Sequence, residues 1–153
     1  MVKFLKRTLF ALVTFILCSP AIGQVKDSTD WNLLLKFSNF TEINSARKID
    51  RIILKKFPSW KRMSKPHGNF NPTDVGKGRR LRLLFSAKID NYWIVSYEHG
   101  GRGYHTHCLF ITIDSNSVLT IKETDMKFDS LEYLKEFVQT RQLLLRHWPG
   151  YES

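Results

Sequence analysis

The densest group of chemically capable side chains in this sequence is the run Tyr97-Glu98-His99-Gly100-Gly101-Arg102-Gly103-Tyr104-His105-Thr106-His107-Cys108. His99, His105, His107 and Cys108 are four soft or borderline metal ligands within ten residues. Side chains alternate between the faces of a strand, so His105 and His107 share one face and Cys108 takes the other. If His99 pairs with His105 across the turn, three imidazoles converge as in an open zinc site. A register shifted by one residue brings Glu98 to the two histidines instead. That two-histidine, one-carboxylate set also suits a divalent metal.

His105, His107 and Glu98 are equally the candidate catalytic residues, with Tyr97, Tyr104 and Arg102 to complete an acid–base and oxyanion set. Such a centre would make the protein a metal-dependent or histidine-based hydrolase of an anionic substrate. Against it, the chain has no serine in a nucleophile elbow, and Cys108 lies off the histidine face. Paired carboxylates for glycoside hydrolysis are not evident either. A simpler role is available too. The histidine face continues as Leu109, Ile111 and Ile113, which reads as core, and the imidazoles would then only cover the end of a sheet.

Two further features concern anions. Three glycines around Arg102 allow a turn with bared backbone N–H groups, to which Arg102 adds a bidentate clamp, although no helix start follows to complete a phosphate loop. Residues 59–80 form a long loop punctuated by Pro66, Gly68, Pro72, Gly76 and Gly78. It interleaves Lys61, Arg62, Lys65, His67, Lys77, Arg79 and Arg80 with Trp60 and Phe70, a pattern that binds anionic polymers by charge plus stacking. The expected contact residues are Arg102, Tyr104, Arg79, Arg80, Lys61, Arg62 and Trp60.

Charge supports an anionic partner. Between Arg47 and Arg82 there are twelve Lys or Arg against only Asp50 and Asp74. The first 23 residues carry three basic side chains and no acid, leaving +7 of the formal +10 on the remainder. Lys3, Lys6 and Arg7 precede the apolar run Leu9–Leu17, and Ala21-Ile22-Gly23 places small residues at a cleavage site before Gln24. This is the pattern of a bacterial-type export signal over residues 1–23. The mature protein is expected to be periplasmic or secreted, with no transmembrane segment after cleavage. Export makes nucleic acid an unsuitable partner and favours anionic envelope lipid, polysaccharide or an acidic protein. Cys108 is then the lone cysteine, expected to be buried.

The elements that must position these residues follow from periodicity. Residues 24–153 are long enough for one domain. Asp30 is placed to cap a short helix over Trp31–Leu35, an apolar run that reads equally as a strand. Ile43, Ala46, Ile49, Ile53 and Phe57 recur at helical spacing with Arg47, Lys48, Arg51 and Lys55 between them, predicting an amphipathic helix ended by Pro58. Leu81–Ile89, Tyr92–Glu98, Tyr104–Asp114 and Ser117–Lys122 alternate as strands joined by Asp90-Asn91, the glycine turn and Ser115-Asn116. A last helix starts at Asp129 or Ser130 and runs through Leu144 and Leu145 to Pro149-Gly150. The expected fold is α+β, a four-stranded antiparallel meander with N-terminal and C-terminal helices packed on one face. Small size and export favour a binding or inhibitory protein over an enzyme, and any cofactor implied is zinc.

Overall fold

The computed structural model describes residues 29–150. The expected export signal, with Cys18, lies outside the described residues. The fold is α+β, as the periodicity predicts, but its sheet has six strands where four were expected. They are β1 (Thr41–Glu42), β2 (Leu81–Ile89), β3 (Tyr92–His99), β4 (His105–Ile113), β5 (Val118–Thr124) and β6 (Arg146–His147), hydrogen-bonded in that order and antiparallel throughout.

The four long strands lie where alternation put them. Asp90 adopts φ 46°, the left-handed conformation that a two-residue hairpin turn needs, and Ile89 pairs with Tyr92 across it. The two additional strands are short edge pieces from segments that read as helical. Thr41 and Glu42 pair with Lys88 and Ala87, and Asn44 at φ 44° then turns the chain. The expected helix through Phe57 therefore breaks into β1, a 3-10 turn at Ala46–Lys48 and α2 (Arg51–Lys56). Asp50 caps α2 by accepting from the Ile52 amide at 2.8 Å.

At the other end, α3 (Leu131–Thr140) is capped by Ser130 and stops short of Leu144 and Leu145. The chain then crosses the first helix, α1 (Trp31–Phe37), where the Asn32 side chain donates to the Leu143 carbonyl and accepts from its amide. Asp30 caps α1 through the amides of Asn32 and Leu33, settling the choice between helix and strand there.

The sheet is covered on both faces. Trp93, Val95, Leu109, Ile111 and Ile121 pack against Ile53, Leu54, Phe57, Trp60 and Trp148. On the opposite face Ile94, Cys108 and Phe110 meet Trp31 and Leu35 of α1 and Leu131, Leu134 and Val138 of α3. The expected packing of the N-terminal and C-terminal helices on one face is not formed. The helix α2, which stands where the amphipathic N-terminal helix is expected, lies on the face opposite α3. It is α1 that joins α3, so the helices form two layers around the sheet. A β-bulge between Leu83 and Phe85 sends the first into one core and the second into the other. Among the described residues no helix is long and apolar enough to cross a membrane.

Candidate metal centre and basic groove

The β3–β4 ladder decides which side chains meet. His99 pairs with His105, Tyr97 with His107 and Glu98 with Thr106. Strand alternation therefore puts the three histidines on one face and Glu98 on the other. One ring nitrogen from each of His99, His105 and His107 lies within 4.8 Å of the others. His99 Nδ1 is 3.1 Å from His105 Nε2, and His105 Nδ1 is 2.9 Å from the Gly103 carbonyl. A carbonyl only accepts, so the neutral His105 carries its proton on Nδ1 and turns the Nε2 lone pair toward His99.

His107 is fixed from two sides. Its ring stacks on Tyr97 at 5.0 Å, and its Nδ1 is 3.6 Å from the buried Glu123 carboxylate. Arg146 grips Glu123 at 3.0 Å and reaches Asp125 as well. The alternation that predicts the last strand ends it at Lys122, whereas the strand continues through Glu123 to Thr124. The signal was present: Ile121 and Glu123 continue one alternating face, and Glu123 pairs with Leu109 on the histidine side. Burial holds His99 and His107 below the ordinary imidazole range, His105 adding to this at both and Arg80 at His99, while Glu123 opposes it at His107.

The two-histidine, one-carboxylate set is not formed. Glu98 turns away to meet Arg82 Nε at 2.5 Å and the Tyr104 hydroxyl, which donates to it at 2.5 Å. Burial alone would raise this carboxyl. The hydrogen bonds from Arg82 and Tyr104, with the charges of Arg82 and Lys127, hold it below the usual range instead. The catalytic grouping of His105, His107 and Glu98 is thus split by the sheet. Cys108 is buried among the apolar side chains of the α1–α3 face, which pushes its thiol well up.

The basic loop is pinned at several points. Asn71 accepts from Thr73 and donates to Val75, its amide bonds to the Arg79 carbonyl, and Phe70 lies under Arg82 at 4.9 Å. Trp60 is fully buried, stacked on Phe57 at 4.2 Å and edge-on to Tyr97, so it anchors the loop from the core and offers no ring to a ligand. In the glycine turn, the Gly100 amide is spent on the Arg80 carbonyl and that of Gly101 on Pro72, which removes them from an anion cradle. Arg102 and Tyr104 are exposed at the hairpin end.

The remaining cations divide between two concavities. A groove of about 990 Å³ is lined by Arg47, Lys61, Lys65, Lys77 and Arg79, with His67 and Phe70. Among the described residues no carboxylate lines it. A second pocket of about 510 Å³ carries Arg62, Arg79 and Arg80, and its wall includes His99. Lys65, His67 and Lys77 belong to the basic loop that the sequence singles out, whereas Arg47 lies outside it, and its signal is the charge count, which begins well before that loop. No protein-family model, curated protein or solved structure matches the chain.

Proposed function

We propose that this chain is a small exported binding protein that holds an anionic polymer along its basic groove. The observation that carries this is the lining itself: among the described residues, five Lys or Arg side chains surround about 990 Å³ with no acidic residue between them. Solvated lysines on an ordinary surface are interspersed with acids, because like charges brought together repel. A one-sign concavity keeps that cost in the free protein and recovers it when a polyanion enters. The groove is formed by three segments: the chain at Ser45–Arg47, the 3-10 turn ending at Arg62, and the loop through Arg79. An extended, repeatedly charged ligand fits this arrangement better than a compact one.

Linear polyphosphate is a suitable probe, titrated into the purified protein at low salt with calorimetric detection. Lys61→Glu/Lys65→Glu/Lys77→Glu reverses three exposed charges, so the fold should persist, with circular dichroism as the check. Affinity should fall by at least about tenfold, since each lost phosphate contact removes a favourable electrostatic contribution. Equal affinity in the folded triple variant would show that the groove is not the site.

A further inference from the structure

We infer that His99, His105 and His107 bind one divalent transition-metal ion, zinc by preference, whose remaining coordination position is taken by an anion seated on Arg62, Arg79 and Arg80. The donor set suits the ion, since three imidazoles with a fourth position left over is the arrangement of open zinc sites. The geometry is close to what binding requires. Zn–N bonds of about 2.0–2.1 Å place tetrahedral ligand nitrogens roughly 3.3 Å apart. The histidine nitrogens lie within 4.8 Å of one another, and the His99–His105 pair is already at 3.1 Å. Side-chain rotation closes the difference, and two of the three histidines stand on directly paired positions of one hairpin.

The surroundings match a ligand set more closely than a surface cluster. A metal-bound histidine typically donates its second ring nitrogen to a carbonyl or carboxylate, which fixes its tautomer and orientation. His105 Nδ1 meets the Gly103 carbonyl at 2.9 Å. His107 Nδ1 faces Glu123 at 3.6 Å, and Glu123 is itself held by Arg146. Buried carboxylates are rare unless paired, and this one stands between a histidine and an arginine that come from different strands. The anion follows from the pocket, because His99 shares a wall with three arginines whose planar forks match phosphate or carboxylate oxygens. Loss of polyphosphate binding in the groove would leave this inference untouched, because Gly78 and Arg79 alone are common to the two concavities and neither is a histidine ligand.

The test uses metal alone first. Zinc titrated into the purified, chelator-treated protein should bind with one-to-one stoichiometry, and cobalt substituted for it should give the visible absorption of a four-coordinate nitrogen site. His105→Ala/His107→Ala should abolish both signals, and Glu123→Gln should weaken zinc binding about tenfold through His107. No saturable binding by the wild type, or equal binding by the double-histidine variant, overturns the site, and the wild-type cobalt spectrum needs no variant to fold. Inorganic phosphate added to the cobalt form should then shift the spectrum saturably, less readily in Arg79→Ala/Arg80→Ala. A spectrum indifferent to phosphate overturns the anion half of the inference.

Discussion

At the scale of single residues, the sheet separates two polar centres that the sequence places side by side. His99 and Glu98 are neighbours in the chain, yet one joins the imidazole cluster and the other a half-buried ion pair on the reverse face. The Glu98 side chain is 4% exposed, and its charge is met by Arg82, Tyr104 and, at 4.0 Å, Lys127. Arg82→Met keeps an aliphatic stem but withdraws the guanidinium, and with it the contact over the Phe70 ring. Breaking such a pair leaves a buried carboxylate short of a partner. Arg82 keeps some contact with water and Tyr104 remains, so a cost of about 2–3 kcal/mol is expected in urea unfolding. Glu98→Gln in the same background should restore part of that loss, because the orphaned charge disappears with it. A purely additive pair of substitutions would mean that the two side chains are not coupled.

At the scale of elements, what was legible depended on how local the signal is. The four long strands and the Ser130 cap rest on alternation and on one side chain, and both are visible in a short window. The convergence of His99, His105 and His107 was legible for the same reason: a hairpin with a short turn has few registers. β1 and β6 were not, because a two-residue edge strand exists only by virtue of the neighbour it pairs with. Ile43, Ala46 and Ile49 do recur at helical spacing, but they reach the core from a turn and a 3-10 segment. Glu123 was hidden likewise, its role being set by pairing with β4. The clearest element-level dependence is at Gly100. A Cβ there would lie 2.2 Å from the Asn71 carbonyl oxygen and 2.8 Å from Pro72 Cα, both backbone atoms of the basic loop. The Thr73–Gly101 bridge and the Gly100 amide bond to Arg80 show that loop and hairpin are built against each other. Gly100→Ala should therefore cost about 3 kcal/mol in thermal or denaturant unfolding, at the upper end of overpacking losses, because backbone must move. Gly103→Ala, whose added Cβ meets nothing within 4 Å, should stay within about 0.5 kcal/mol. Equal effects at the two positions would contradict the close approach.

At the scale of the whole molecule, the long-range organisation is one of charge laid over a scaffold that is apolar on both faces of its sheet. The apolar side chains on both faces of the sheet supply the stability, Ile53, Phe57 and Trp60 of the basic segment among them, and the outward positions between Arg47 and Arg82 carry twelve cations against two acids. Five of them line the groove. If binding there proceeds by displacing counterions from a polyanion, its affinity must depend on salt in a way that counts those contacts. A flexible phosphodiester strand releases about 0.7 counterion for each phosphate neutralised. Carried over to polyphosphate, five contacts imply a slope of about −3.5 in log affinity against log salt. Raising salt from about 50 to 200 mM should then weaken binding about a hundredfold. Lys61→Glu/Lys65→Glu should flatten the slope by at least about 1.4, the share of the two contacts removed. Zinc titrated alone is held by the imidazole nitrogens through donor bonds rather than by released counterions, and its affinity should change far less over the same range. Comparing the two titrations therefore separates a groove that works by collective charge from a centre that works by donor geometry. A flat salt response for polyphosphate would return the basic segment to the role of a solvated surface.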